Sequence, residues 1–106
     1  MLKIKYMNSI VKGNKNENKC KKALEQEGYI CWKAKRTRFG GNDLFDLFDI
    51  AAMHPEGKHL VLVQVKSNYC SKAVREAIKK FKVPPCIWKQ VWVWVDRKGW
   101  KIYEKL

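Results

Sequence analysis

A carboxylate, an amide and an ammonium group interrupt two otherwise apolar segments of this chain. Asp49 lies in Leu-Phe-Asp-Ile-Ala-Ala at 47–52, and Gln64 and Lys66 lie in Leu-Val-Leu-Val-Gln-Val-Lys at 60–66. Side chains alternate along a strand, so Gln64 and Lys66 share a face. Oxygens from Asp49, Gln64 and the Val65 carbonyl form the hard donor set that Mg²⁺ prefers, with Mn²⁺ as the alternative. With Lys66 beside a metal-activated water, the sequence predicts phosphodiester hydrolysis.

Glu17 is a further candidate, placed by its spacing. It precedes Cys20 by three residues and Leu24 by seven, so its carboxylate falls on the apolar stripe of the first helix. This position aims it inwards, where it could hold a metal through water. The alternative is a glutamate favoured at a helix start by the macrodipole.

Two other aspartates precede Asp49, and the choice between them depends on strand parity. Asp46 has the opposite parity to Asp49 in a regular strand, so only one of them can share the face of the 64–66 pair. We select Asp49, and Asp46 stays the alternative. Asp43 follows Gly-Gly-Asn and is predicted to be a turn former. For Gln64 and Lys66 the alternative is a solvated strand end with lysine as edge protection.

The spacing of Asp49 and Gln64-Val65-Lys66 resembles the PD-(D/E)XK nuclease superfamily. Within it the chain is most similar to the small archaeal Holliday-junction resolvases, through Gln64-Val65-Lys66-Ser67 and through Lys12-Gly13 followed by Glu17. The resemblance covers about residues 10–95. It departs from the family where Gln64 replaces an acid, which should weaken metal affinity, and where Phe48 replaces proline.

The resemblance implies a Mg²⁺-dependent or Mn²⁺-dependent DNA endonuclease with a restriction-endonuclease-like core. Asp49, Gln64, Val65 and Glu17 would be the metal site, Lys66 would polarise the nucleophile, and a homodimer would cut branched DNA. The alternative within the same fold is a catalytically inactive DNA-binding module that lost its metal through Gln64.

Hydrophobic periodicity predicts the elements that must position these residues. The class is α/β with a mixed sheet, in the order αβββαββ, and residues 1–106 form a single domain. The second and third strands are close enough for an antiparallel hairpin. Helices are predicted at 14–28 and 71–82, and the second has Ser71 as N-cap and an apolar stripe of Val74, Ala77, Ile78 and Phe81. Strands are predicted at 29–35, 44–53, 59–67, 86–95 and 100–106, with a loop at 36–43. Lys3–Met7 could add a short arm or edge strand.

The charge balance predicts a polyanionic partner. Lys and Arg number 23 against 10 Asp and Glu, a net charge of +13 in 106 residues, for which nucleic acid is the commonest partner. An anionic membrane surface is the rival, but the chain lacks a basic amphipathic helix with large apolar residues. Without an apolar span or signal peptide, we expect a cytoplasmic protein with no membrane partner. The first phosphate-binding candidates are Lys33, Lys35, Arg36 and Arg38, which Thr37 could assist. The second are Lys72 and Arg75 on the second helix, although the basic residues of that helix could instead form a solvated face.

Cysteine, histidine and tryptophan supply little further chemistry. The four cysteines have no Cys-X-X-Cys spacing, so we predict free thiols rather than a zinc site. His54 and His59 flank a Pro-Glu-Gly turn and are predicted to be solvated, which argues against a Ser-His-Asp or Cys-His mechanism. The tryptophans of the last strands could stack on bases, but core or dimer contacts are favoured because both faces of Val-Trp-Val-Trp-Val are apolar.

Overall fold

The computed structural model describes residues 2–34, 36–37, 40–41, 44–45 and 47–106, with the backbone alone at 2–11, 36–37 and 40–41. The elements occur in the order helix, five strands, helix, two strands. They are α1 (Leu2–Gln26), β1 (Ile30–Lys33), β2 (Arg36–Thr37), β3 (Gly40–Gly41), β4 (Ile50–Met53), β5 (Leu60–Ser67), α2 (Lys72–Lys80), β6 (Ile87–Val95) and β7 (Gly99–Tyr103).

Five of these strands form one mixed sheet, which confirms the α/β class. Its order is β1-β4-β5-β6-β7, and every neighbouring pair is antiparallel except β5 and β6. The parallel pair is connected through α2, because parallel strands need a crossover and a helix commonly supplies it. The antiparallel hairpin predicted between the strands at 44–53 and 59–67 is present as β4–β5. β2 and β3 form a separate two-stranded sheet within the segment predicted to be a loop.

Each face of the sheet is covered by one helix and has its own core. On the α1 face, Cys20 and Leu24 pack with Ile50, Val63 and other residues of the inner strands. On the α2 face the buried residues are Phe48, Leu62, Cys70, Ile78, Val91 and Val93. β5 contributes to both faces, with Val61, Val63 and Val65 on the first and Leu62 on the second, as its alternating pattern predicts.

Both helices end through recognisable local chemistry. α1 ends in a Schellman arrangement, in which Tyr29 N donates to Leu24 O and Gly28 N to Glu25 O, with Gly28 at φ +95°. Ser71 caps α2 as predicted, because its hydroxyl accepts a hydrogen bond from Val74 N at 3.2 Å.

Four details of the predicted elements are wrong. Lys3–Met7 is neither an arm nor an edge strand, because α1 already begins at Leu2. Ala77 is exposed, so the apolar stripe of α2 is narrower than predicted. Residues 44–48 do not continue β4; Phe48 N turns back to bond Leu44 O at 3.0 Å.

The fourth detail concerns the two histidines, which are half-buried rather than solvated. His59 stacks on Trp88 with ring centroids 3.6 Å apart, and its Nε2 lies 2.7 Å from Tyr29 Oη. His54 packs against His59 at 4.7 Å. The turn is thus held by a ring cluster at the end of the sheet where β5 begins.

No helix in the described residues is both long enough and apolar enough to cross a bilayer. All four cysteines are free thiols, as predicted.

Candidate active site at the start of β4

Asp49 lies immediately before β4, at a point where the strand contains one residue too many. Asp49 N donates to Val63 O at 2.8 Å, although Ile50 is the residue aligned with Val63. Two residues therefore oppose one, which is a β-bulge. Phe48 accordingly packs on the α2 face and Ile50 on the α1 face, although a regular strand would place both on the same face.

The bulge brings the Asp49 carboxylate into the hydrogen-bond ladder of β5. Its Oδ2 accepts a hydrogen bond from Val65 N at 2.8 Å, so a side-chain oxygen takes the place of the next backbone acceptor. In an antiparallel pair the N–H and C=O of one residue point the same way, so the Val65 carbonyl is directed to the same side of β5 as Asp49. Asp49 is 2% exposed. A buried carboxylate next to a strand carbonyl is part of the oxygen donor set that the sequence predicts.

Glu17 approaches from α1 and is equally buried. It is 2% exposed, and Cys20 and Leu24 on the same stripe are also buried, which confirms that Glu17 faces inwards. Burial raises the pKa of the Cys20 thiol far above its ordinary value, and the charges of Asp49 and Glu17 raise it further. Cys20 packs with Ile50, Val63 and Val65, so the helix stripe that carries Glu17 lies over the part of the sheet where Asp49 bonds Val65 N.

Lys33 is part of this same cluster. Its Nζ lies 3.6 Å from Glu17 Oε2 and 3.0 Å from Asn18 Oδ1. The side chain is only 21% exposed, so this ammonium is directed at the buried carboxylate. Lys33 was predicted as a phosphate contact, and its position gives it a role in balancing charge inside the site.

Gln64 and Lys66 extend from the other face of β5. They alternate with Val63, Val65 and Ser67, of which the two valines belong to the α1-side core. Gln64 is 9% exposed, and Lys66 is half-buried. Burial raises the pKa of the Cys70 thiol in the α2-side core, and the positive charges of Arg75 and Lys66 oppose this rise. The structure thus joins Asp49 to the Val65 backbone and brings Glu17 towards it, while the Gln64 and Lys66 side chains lie on the α2 side of the same strand.

Asn16 belongs to the site but was not predicted from the sequence. It is 2% exposed, and its Nδ2 donates to Ser67 Oγ at 2.6 Å, which ties α1 to the end of β5. The signal was available: Asn16 lies four residues before Cys20, on the stripe that places Glu17.

Several predicted residues fall outside the described part of the chain. Lys35, Arg38, Asp43 and Asp46 lie outside it, as do the side chains of Arg36 and Thr37. Among the described residues, no group of three or more His, Cys, Asp or Glu side chains is arranged to hold a metal, so the shared metal site of Asp49, Gln64, Val65 and Glu17 stays a prediction.

Comparison with protein-family models, with curated proteins and with solved structures found no match for this chain. The function of this chain is therefore inferred from the site and from its net positive charge.

Proposed function

We propose that this protein is a Mg²⁺-dependent or Mn²⁺-dependent DNA endonuclease with a restriction-endonuclease-like core of the PD-(D/E)XK type. The single observation that supports it best is the 2.8 Å hydrogen bond from Val65 N to Asp49 Oδ2. It joins the acid of one strand to the backbone of the Gln64-Val65-Lys66 segment of its neighbour, in the strand order that the resemblance implies. The common face that the sequence predicts for Asp49, Gln64 and Lys66 is absent, because the Gln64 and Lys66 side chains lie on the α2 side. The net charge of +13 suits a polyanionic substrate.

The Asp49 carboxylate and the Val65 carbonyl are neighbouring oxygen donors, and Glu17 adds a second buried carboxylate from the α1 side. These three groups suit a hard divalent cation in their chemistry, whereas the Gln64 side chain lies on the α2 side of β5. When bound, the cation lowers the pKa of a water molecule and neutralises charge on the phosphate. Lys66, on the α2 side of β5, would hold a substrate phosphate through its ammonium group, and Lys33, 3.6 Å from Glu17 Oε2, would limit the repulsion between the buried carboxylates.

Cleavage assays test this proposal directly. The native chain is incubated with plasmid, single-stranded and four-way-junction DNA in Mg²⁺, in Mn²⁺ and in chelator, beside Asp49→Asn and Lys66→Ala. Glu56→Gln and Lys80→Ala are matched controls, because they make comparable charge changes at exposed positions away from the site. We expect metal-dependent cleavage that falls about 100-fold or more in the two site variants and stays near native in the controls.

Cleavage that survives both Asp49→Asn and Lys66→Ala would rule out this site. Preference for the four-way junction over plasmid would support the branched-DNA substrate that the resemblance implies. Sedimentation of the native chain tests the homodimer, for which we expect a mass of twice 12.5 kDa.

A catalytically inactive DNA-binding module of the same fold is the second candidate, and two observations favour it. Lys33 already supplies a positive charge 3.6 Å from Glu17, and Gln64 and Lys66 point to the opposite face of β5 from Val65. For this candidate we expect equal DNA affinity in Mg²⁺ and in chelator, with no cleavage in any metal.

A further inference from the structure

A positively charged groove of about 380 Å³ lies between α2 and the C-terminal segment, away from Asp49 and Glu17. One wall is a face of α2, and the other is the end of β7 with the residues that follow it. The lining residues are Lys72, Arg75, Glu76, Lys79, Tyr103, Glu104, Lys105 and Leu106.

The cations of the groove are arranged along one side of α2. Lys72, Arg75 and Lys79 are separated by three and four residues, which places them on one helix face, and Lys105 adds a fourth positive charge from the opposite wall. Two glutamates oppose these four cations, so an excess of positive charge remains. Where both partners are described residues, the ion pairs use Lys12, Lys33 and Lys58 as cations, and none of the groove cations.

Arg75 is held in place by an aromatic ring rather than by a carboxylate. Its guanidinium carbon lies 4.9 Å from the centroid of Tyr103, and Lys101 Nζ lies 5.3 Å from the same centroid. A cation–π contact orients the guanidinium plane without neutralising its charge. Arg75 Nε is buried and has no hydrogen-bond acceptor among the described residues. An oriented, unneutralised guanidinium is suited to a phosphate.

The groove lies on the same side of the sheet as Lys66. Lys66 extends from the α2 side near the end of β5, and Arg75 lies in the first turn of α2, nine residues further along the chain. Cys70, which lies between them in the chain, is buried in the α2-side core. The α2 side of the sheet therefore carries both Lys66 and the groove cations.

We propose that this groove binds the phosphodiester backbone of DNA and guides it towards Lys66. The choice of DNA as the polyanion rests on the proposed function; the binding of backbone phosphate rests on the groove itself. Lys72 and Lys79 contact phosphates as point charges, and Arg75 contacts one through its planar fork.

The test separates binding from cleavage by working in chelator. We compare Lys72→Gln/Lys79→Gln with Lys80→Gln/Lys82→Gln, which removes the same charge from exposed positions at the end of α2 outside the groove. Fluorescence anisotropy with labelled duplex and four-way-junction DNA is recorded over a series of salt concentrations. Circular dichroism and thermal melting confirm that both variants are folded.

The groove variant should bind DNA about 10-fold or more weakly near 100 mM salt, and its slope of log affinity against log salt should fall by about 2, one unit for each lost phosphate contact. The control should lose much less of both. Equal losses in the two variants, or no DNA binding by the native chain, would overturn the proposal.

Cleavage assays then distinguish this inference from the proposed function. A groove variant that binds weakly, in a protein that never cuts DNA, leaves the groove standing and removes the nuclease. A protein that cuts DNA in metal while its groove variant binds and cuts like the native chain leaves the nuclease standing and removes the groove.

Discussion

Lys89 offers the sharpest test of how α2 is held on the sheet. It is 7% exposed, and its ammonium donates to three carbonyls at the end of the helix: Ile78 O at 2.6 Å, Phe81 O at 2.7 Å and Lys79 O at 3.2 Å. All three donors of the ammonium are therefore used on acceptors that a helix C-terminus leaves open. We predict that Lys89→Met destabilises the protein and loosens the end of the helix that carries the groove cations.

The magnitude follows from which carbonyls lose their donor. A buried carbonyl left without a donor costs about 1–3 kcal/mol. Ile78 O still accepts from Phe81 N at 3.2 Å, and Lys79 lies at the surface, where water can replace the ammonium. Phe81 O bears most of the loss, while removal of a buried charge offsets part of it. We expect a net loss of about 2 kcal/mol, which lowers the melting temperature by roughly 8–16 °C for a chain of this size.

Urea and thermal unfolding measure this loss, with Lys80→Met as the matched control at an exposed position of α2. The control should stay within about 0.5 kcal/mol of the native chain. A Lys89→Met variant no less stable than the Lys80→Met control would show that the ammonium does not hold the helix end.

The same side chain gives a pH dependence whose sign is fixed. Burial, with a smaller effect from Lys82, lowers the pKa of Lys89 below its ordinary 10.5. At pH values between the lowered pKa and 10.5, Lys89 is protonated to a greater extent in the unfolded chain than in the folded chain. Stability contributed by this group therefore rises with pH through that window. The difference in unfolding free energy between the native chain and Lys89→Met should grow over this interval, and a difference that stays flat or shrinks would contradict the assignment.

Three further predictions concern the thiols, the acid limb and the metal. Cys86 should react with a thiol reagent in the folded chain, whereas the fully buried Cys20, whose pKa burial raises, should react only on unfolding; equal rates for the two would refute the packing of α1. Hydrogen bonds from Lys12 and Asn68 lower the pKa of Asp96 below its ordinary 3.8. Asp96 therefore stabilises the fold above pH 3.8, and this stabilisation is lost as pH falls through the lowered pKa. Asp96→Asn should remove this part of the acid unfolding transition, and an unchanged transition would count against the assignment. Gln64→Glu adds a negative charge beside the proposed metal site and should increase the thermal shift produced by Mn²⁺; a variant with no greater shift than the native chain would argue that Gln64 is not a ligand.

The elements that could be predicted from the sequence are those governed by local chemistry. They include the Ser71 N-cap hydrogen bond from Val74 N, the end of α1 at Gly28 and the inward orientation of Glu17. Each of these depends on residues within seven positions of each other. The apolar alternation of 60–67 likewise determines which of its residues enter the two cores. The α/β class follows because the apolar periodicity distinguishes the second helix and the five main strands along the chain.

What could not be predicted depends on long-range pairing. The bulge at Asp49 is defined by its pairing with Val63 on the neighbouring strand. The alternation of side chains along 44–53 alone therefore predicts one continuous strand and misses the chain reversal at Phe48. Leu-Lys-Ile-Lys-Tyr at the chain start alternates like a strand, but it forms the first turns of α1. Lys89 shares strand parity with the buried Val91 and Val93, yet its burial becomes understandable only once α2 ends above it.

The extra residue at Asp49 also separates the register of β4 and β5 from the connection that precedes it. β4 and β5 stay in register because their pairing begins after the bulge, and the aspartate side chain itself completes the ladder at Val65. The connection between β3 and Phe48 lies before the bulge and outside the β4–β5 register, so an insertion or deletion there need not shift the core strands. The position of the aspartate relative to β5, by contrast, is fixed by its bond to Val65 N.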